Sequence, residues 1–195
     1  HLGGLALAVP ETVRALDAVG MGTILLETVG VGQIEVAVAD ATDTTVVVVN
    51  PGWGDAVQAN KAGLLEIADI FVINKADRPG VPEARRELDQ MLDLSRLGSW
   101  RPPIVATTAT TAEGVTELWE QLGRHREHLV AEGALDRRRA ERLVEELRQV
   151  VVNRMTERGD RLCSSEEFEE VRRAVISHRM DPYDAAEKVM ERLAD

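Results

Sequence analysis

The chain has 195 residues and a formal net charge of −11, with 44% of its residues apolar and 29% charged. This composition can bury a core, and the length suits one domain with an appendage. The acidic balance argues against a nucleic-acid partner, and one cysteine with four histidines excludes a disulfide framework and gives no metal cluster. No apolar run approaches the roughly 20 residues that span a bilayer. We therefore expect a cytoplasmic protein without a membrane partner.

Helices and strands are predicted to alternate up to about residue 130. A helix over residues 10–18 is followed by apolar runs at 23–27 and 44–49, which predict buried strands. The remaining predicted elements are helices at 54–68, 82–94 and 115–130 and strands at 70–73 and 104–106. This alternation predicts a parallel sheet covered by helices.

The first motif begins at Glu27 and continues as Thr-Val-Gly-Val-Gly-Gln through Gln33. An acidic residue at the end of a strand can hold a water of a magnesium ion, and Gly30 lets a backbone N–H approach a γ-phosphate. Such loops change shape when that phosphate leaves. Gln33 is a candidate for orienting an attacking water, by analogy with glutamines that do so elsewhere. A plain glycine-rich turn between strand and helix remains the alternative.

The most informative motif is Asn74-Lys75-Ala76-Asp77, directly after the apolar run at 70–73. A carboxylate in the plane of a base accepts from the ring N–H and the exocyclic amine of guanine, whereas adenine offers no such pair of donors. Asp77 is therefore predicted to select guanine, while Asn74 pins neighbouring loops and the Lys75 stem covers the base. The alternative is a turn in which Asp77 caps the next segment.

A phosphate-cradling loop needs Gly-x-x-x-x-Gly-Lys-Ser/Thr, and the sequence has none. Its lysines, at 61, 75 and 188, follow Asn60, Asn74 and Glu187. We therefore expect these residues to be the later part of a longer protein whose phosphate loop lies before His1. A degenerate homologue is the alternative. In either case this stretch alone should bind nucleotide poorly, because phosphate contacts supply much of the affinity.

From about Gly133 onward the pattern changes to helices without intervening strands. Apolar residues recur there at spacings of three and four and form a one-sided stripe: Ala140, Leu143, Val144, Leu147, Val150 and Val151. Such a face packs either on the preceding domain or on a second copy of the chain.

The two motifs, together with the opening His-Leu-Gly-Gly-Leu-Ala and the segments 51–58 and 180–186, resemble the MeaB/ArgK family of GTPases. These are the bacterial relatives of the human methylmalonic aciduria type A protein. The resemblance implies a three-layer α/β P-loop NTPase G domain of the SIMIBI type, with a mostly parallel sheet, over residues 1–130. It also implies a C-terminal α-helical extension over residues 131–195 that holds a homodimer.

The resemblance further implies binding of GTP and GDP with Mg²⁺, and GTP hydrolysis. The implied partner is an adenosylcobalamin-dependent acyl-CoA mutase of the methylmalonyl-CoA mutase type, for which the family acts as a chaperone that gates cofactor delivery and protects the enzyme. Metallochaperone GTPases share this nucleotide architecture but should display a Cys/His site, which the sequence lacks. A non-hydrolysing dimeric scaffold or fragment remains open. An amino-acid-transport ATPase or kinase fits poorly, because Asp77 selects guanine.

Individual residues also acquire roles by this match. Thr108 and Ala109 stand where related G proteins carry a small-residue loop whose backbone touches the guanine oxygen, and Thr110 follows. Residues 52–63 match a third mobile switch that reports the nucleotide state to the mutase, and its polar candidates are Asp55, Gln58 and Lys61. A threonine-rich turn before a helix and a capping Asp55 are the plain alternatives. Two residues depart from the family pattern, namely Ile34 in place of serine and Trp53 in place of methionine or glycine.

Overall fold

The computed structural model describes residues 8–28, 39–52, 63, 66–95 and 98–191. The strands are β1 (Val46–Val49), β2 (Ile70–Asn74) and β3 (Ile104–Thr107). The helices are α1 (Ala8–Ala18), α2 (Val81–Asp93), α3 (Val115–Ala131), α4 (Ala134–Cys163), α5 (Glu166–Ile176) and α6 (Pro182–Met190). The predicted helices and strands of the first 130 residues recur here, apart from those at 23–27 and 54–68.

The strands pair in the order β1-β2-β3, and both pairings are parallel. The central strand β2 is buried on both faces, since Ile70, Phe71 and Ile73 are fully buried and Val72 is 3% exposed. A continuous apolar run of this kind is expected where helices cover both faces of a parallel sheet. The α/β fold with a parallel sheet, predicted from the sequence, is confirmed.

Each face of the sheet has its own helix. The main core joins Phe71 and Ile73 to the inner face of α2, where Leu88, Met91 and Leu92 are buried as the sequence predicted. Because strand side chains alternate, the buried residues Val72 and Val105 point to the opposite face. Helix α3 contacts β2 and β3 there and contributes a second set of buried residues, including His125 and Leu129.

Two sequence predictions need correction or fall outside the described residues. Residues 23–27 do not form a strand, and Leu25 is 85% exposed. A strand persists only through hydrogen bonds to a neighbouring strand, and none of the three strands in the described part of the chain pairs with this run. The helix predicted at 54–68 lies mostly outside the described residues; residues 63, 66 and 67 are helical, and Ala68 is not.

A polar network at the amino end of the sheet holds β1, β2 and α3 together. His125 is 1% exposed; its Nδ1 lies 2.8 Å from Thr44 Oγ1, and its Nε2 lies 3.2 Å from Asp69 Oδ1. The other Asp69 oxygen accepts from the Thr45 N–H at 2.9 Å. Trp100 donates its indole N–H to the Asp69 carbonyl at 2.8 Å. The predicted strand at 44–49 starts two residues later, at Val46. The Thr44 hydroxyl and the Thr45 N–H serve this network, while the Thr45 carbonyl accepts from the N–H groups of Asp69 and Ile70 at 3.0 and 3.2 Å.

The start of α4 is attached to the same region through Asp43. The Asp43 carboxylate accepts hydrogen bonds from Arg139 and from Arg142 Nη2, the latter at 3.1 Å. Burial alone raises the pKa of Asp43, but the hydrogen bonds and positive charges of the two arginines together outweigh it and hold that pKa below 3.8. The carboxylate therefore stabilises the folded state at neutral pH.

Replacing Asp43 by asparagine should lower the free energy of unfolding by about 1 kcal/mol at pH 7, because charge-assisted hydrogen bonds at a half-buried site are lost. A carboxylate whose pKa is lower in the folded chain than in the unfolded chain stabilises the fold at any pH above its unfolded pKa of 3.8. That stabilisation disappears as the pH falls through the pKa of the folded state. The deficit should therefore shrink below pH 3.8 in urea titrations. Asp89→Asn, at an exposed pair with Arg101, is the control and should change little. A deficit that grows in acid would contradict the assignment.

The chain divides into two compact units, residues 1–142 and 143–195. Within the second unit, Ser165 caps α5 by accepting from the Phe168 N–H at 3.2 Å, and Asp181 caps α6 by accepting from the Tyr183 N–H at 2.8 Å. The predicted domain division at residue 130 stays a prediction. Among the described helices, none combines the length and apolarity that a membrane span requires.

Candidate functional site

The residues predicted to read guanine follow β2 at the carboxyl edge of the sheet. In parallel sheets covered by helices, ligands bind at this edge because the loops that follow neighbouring strands converge there. Asn74 ends β2 and is aligned with Thr107, which ends β3. The Asn74–Asp77 turn and the loop that begins at Thr108 are therefore side by side, and the structure brings these two sequence motifs together.

The side-chain oxygen of Asn74 links the two motifs. Asn74 Oδ1 accepts from Thr107 Oγ1 at 3.3 Å and from the Ala109 backbone N–H at 3.2 Å. These two donors use the acceptor capacity of the oxygen and define which way the amide points. Within the described residues the Asn74 amide nitrogen has no hydrogen-bond partner, so its two N–H donors can serve a ligand.

Lys75 gives the turn its shape. Its φ is 59°, in the left-handed region that side chains other than glycine rarely adopt. This backbone directs the Ala76 N–H to the Thr107 carbonyl at 3.0 Å, and the Lys75 carbonyl accepts from the Arg78 N–H at 3.0 Å. A left-handed lysine costs about 1 kcal/mol. Such strain is found more often at functional sites than elsewhere.

Asp77 is exposed, and its carboxylate forms no hydrogen bond or ion pair with the residues that the structure describes. Asp77 does not cap α2, because the N-cap residue of this helix is Gly80 and no side chain caps the helix. The plain alternative of a capping Asp77 is therefore not what the structure has. Both carboxylate oxygens are available to accept hydrogen bonds from an incoming base.

The loop after β3 forms a closed turn. Thr108 pairs with Glu113 in an antiparallel bridge, and its N–H donates to the Glu113 carbonyl at 3.0 Å. The N–H and the hydroxyl of Thr111 both donate to the Thr108 carbonyl, at 3.0 and 3.2 Å. Thr108 is 5% exposed, whereas Ala109 and Thr110 lie at the surface. The backbone of Ala109 and Thr110 can therefore meet a ligand.

The predicted phosphate and switch residues are mostly outside the described residues. This applies to Gly30, Gln33, Asp55, Gln58 and Lys61. Glu27 is described; it is exposed and follows a run that belongs to no strand of the sheet. The structure therefore assembles the base-reading part of the predicted site from Asn74 to Thr110.

Two residues that the sequence analysis did not select also shape this site. Thr107 is 4% exposed and supplies both a hydroxyl for Asn74 and a carbonyl for Ala76. Gly114 stands at the start of α3 with a φ of 75°. The sequence signal for Gly114 was its place directly before a predicted helix. Thr107 had no sequence signal beyond its place in a run of threonines.

A family model described as methylmalonyl-CoA mutase-associated GTPase MeaB matches residues 1–164. The chain belongs to the MeaB family of GTPases. The similarity continues among curated proteins: a GTPase-named protein of Pyrococcus abyssi is 44% identical over 98% of this chain and 60% of its own length. The mitochondrial methylmalonic aciduria type A homolog of Mus musculus is 38% identical over 71% of this chain, and GTPase ArgK of Escherichia coli is 34% identical over 76%.

A solved structure of a LAO/AO transport system kinase aligns with 95% of this MeaB-family chain and 62% of its own, with a TM-score of 0.66 and 27% identity. The P-loop GTPase fold predicted from the sequence is thereby confirmed, as is the family. The chain spans about 60% of the length of the Pyrococcus relative and 46% of ArgK. Membership of a GTPase family points to guanine nucleotides as the ligand class of the family.

Proposed function

We propose that this protein binds and hydrolyses GTP in the cytoplasm as a chaperone of an adenosylcobalamin-dependent acyl-CoA mutase of the methylmalonyl-CoA mutase type. The observation that carries the nucleotide part is the position of Asn74. Its amide oxygen is engaged by Thr107 and Ala109. The amide nitrogen and the free carboxylate of Asp77 are therefore left together at the carboxyl edge of the sheet.

In the proposed complex the carboxylate of Asp77 accepts from the ring N–H and exocyclic amine of guanine. The Asn74 amide nitrogen donates to an acceptor on the opposite edge of the base, and the aliphatic stem of Lys75 covers its face. The backbone N–H of Thr110, next to the Ala109 N–H that holds Asn74, donates to the base oxygen. Adenine is rejected, because its amino group and ring nitrogen leave the Asp77 carboxylate without a pair of donors.

Hydrolysis also requires contacts to the phosphates, and the candidates for these contacts, Gly30 and Gln33, lie outside the described residues. We assign Gly30 to sensing the γ-phosphate, and Gln33 is the candidate for orienting water. Glu27 is the candidate for holding a magnesium-bound water. One or two carboxylates together with water and the nucleotide phosphates are the usual ligands of Mg²⁺, so Glu27 suits this role without a cluster of three protein ligands, and the described residues contain no such cluster.

The mutase partner is supported by the description of the matching family and by the name of the mouse relative. In this proposal residues 52–63 report the nucleotide state to the mutase through Asp55, Gln58 and Lys61. The chaperone gates delivery of the cofactor and protects the enzyme from inactivation. Co-purification of the protein with such a mutase, strengthened or weakened when GDP replaces a non-hydrolysable GTP analogue, would test this part.

We also propose a homodimer formed through the C-terminal helices. The apolar stripe of α4 is exposed: Leu143 is 57%, Val144 66%, Leu147 64% and Val151 52% accessible. Exposed apolar residues that recur on one helix face indicate a protein interface. A second copy of the same helix presents the same stripe and can cover it.

Leu147→Glu should convert the dimer to a monomer, because a buried unpaired charge at an interface costs several kcal/mol. The measurement is mass by light scattering during size exclusion, over a range of concentrations. Leu94→Glu is the matched control, since Leu94 is 89% exposed outside the stripe. A wild-type protein that is monomeric at all concentrations, or a Leu147→Glu variant that stays dimeric, would contradict the proposed interface.

The nucleotide proposal is tested with the intact gene product, whose mass is determined first. A fluorescent GDP analogue is titrated and then displaced with GDP or with ATP. We expect displacement by GDP at concentrations at least about 100-fold lower than by ATP, since Asp77 discriminates against adenine. Equal displacement by both nucleotides would contradict the assignment of Asp77. A complete lack of binding would leave a non-hydrolysing scaffold as the function.

A further inference from the structure

The position of Thr107 determines the geometry of the whole guanine-reading turn. The Thr107 carbonyl accepts from the Ala76 N–H at 3.0 Å, and its hydroxyl donates to Asn74 Oδ1 at 3.3 Å. Thr107 is 4% exposed and is held in register opposite Asn74 in the sheet. A displacement of Thr107 would therefore be transmitted to Asn74 by the hydroxyl and to the middle of the turn by the carbonyl.

Gly114 lies against the backbone of Ala106 and Thr107 at the end of β3. Its φ is 75°, and a Cβ added there would lie 2.0 Å from the carbonyl oxygen of Ala106 and 3.2 Å from the Cα of Thr107. Cβ atoms essentially never come within 3.0 Å of a heavy atom that lies beyond their own residue and its two chain neighbours. The obstructing atoms are backbone of a strand paired with β2, so they cannot move without disturbing the sheet.

We propose that Gly114 is a positioning residue for base recognition. Its contact with the backbone of Ala106 and Thr107 sets the separation between the loop at 108–113 and the Asn74–Asp77 turn. A methyl group at position 114 must push either the loop outward or the end of β3 aside. The first movement draws the Ala109 N–H away from Asn74, and the second displaces Thr107. In both cases a base can no longer contact the loop at 108–113 and the Asn74–Asp77 turn at the same time.

This inference rests on the proposed guanine site, and the experiment separates the two. The intact gene product is compared with its Gly114→Ala and Gly133→Ala variants in titrations with GDP and with inosine diphosphate, whose base lacks the exocyclic amine. Gly133 is the matched control, because its φ of 59° carries similar backbone strain while an added Cβ meets nothing within 4 Å. Thermal unfolding of both variants measures that strain separately.

We expect Gly114→Ala to weaken GDP binding by about tenfold and to lower the preference for GDP over inosine diphosphate, because Asp77 and the loop no longer meet the base together. Gly133→Ala should lower the melting temperature less, through its positive φ alone, and leave both affinities unchanged. If Gly114→Ala binds both nucleotides as the wild type does, the inference is wrong. If the wild type itself does not bind GDP, the proposed function fails, and the inference fails with it.

Should Gly114→Ala fail to fold, Thr107 provides the second test. Thr107→Val keeps the shape of the side chain but removes the hydroxyl that donates to Asn74 Oδ1, whereas Thr107→Ser retains it. We expect the valine variant to lose GDP preference and the serine variant to keep it. A valine variant with an unchanged ratio of GDP to inosine diphosphate affinity would overturn the role of this contact.

Discussion

Asp77→Asn is expected to change the preferred base from guanine to xanthine. A carboxylate accepts two hydrogen bonds, whereas an amide accepts one and donates one. Xanthine carries a carbonyl where guanine carries its exocyclic amine, so asparagine complements xanthine and leaves one guanine donor unpaired. Loss of charge-assisted hydrogen bonds of about 1.5–3 kcal/mol each predicts a fall in GDP affinity by roughly two orders of magnitude.

The measurement is competitive displacement of a fluorescent nucleotide by GDP and by xanthosine diphosphate on the intact gene product. The variant should bind xanthosine diphosphate more tightly than the wild type does, which a damaged fold cannot produce. Asp89→Asn makes the same chemical change at an exposed site on α2 and should leave both affinities unaltered. An Asp77→Asn variant with the wild-type preference for GDP would refute the base-reading role.

Phe71→Ala is expected to have the largest effect on stability. Phe71 is fully buried at the centre of β2 and packs with Ile73, Leu88 and Leu92 in the main core. Truncation of a buried phenylalanine costs about 3–5 kcal/mol, from lost burial and from the cavity left behind. That is a large fraction of the roughly 5–15 kcal/mol that stabilises a typical domain.

Urea denaturation with and without GDP measures this effect, and the second titration shows how much ligand binding restores. Trp119→Ala removes an even larger aromatic group from a site that is 59% exposed, so it serves as the control and should cost less than about 1 kcal/mol. The interpretation of β2 as the centre of the core would fail if the two variants lost similar amounts of stability.

The sequence was sufficient to predict the parts of the fold in which local pattern and tertiary environment agree. The apolar run of β2 is buried on both faces, and the inward residues of α2 follow the helical spacing, so both were predictable. The run at 23–27 has the same local signals but no neighbouring strand among the described residues. Pairing partners are set by tertiary structure, and propensity alone cannot supply them.

In the candidate site, too, local sequence patterns support predictions that contacts between distant residues do not. The base-reading role of Asp77 stays a prediction, and it rests on the residue types that precede and follow this carboxylate. The contacts of Asn74 with Thr107 and Ala109 cross 33 and 35 positions of the chain, and the pairing of Thr44 with His125 crosses 81. Sequence periodicity carries no information on contacts at such separations. Gly114 was missed although it directly precedes a predicted helix, because nothing in the sequence shows that the backbone of β3 lies against it.

The left-handed backbone of Lys75 sets stability against the proposed recognition of the base at a single position. Glycine or asparagine would adopt the same φ with less strain, but neither carries a long aliphatic stem. Selection for thermal stability alone would favour replacing this lysine, whereas selection for nucleotide affinity would retain it. A stability-guided redesign of the protein should therefore leave position 75 unchanged, even where an energy function recommends glycine.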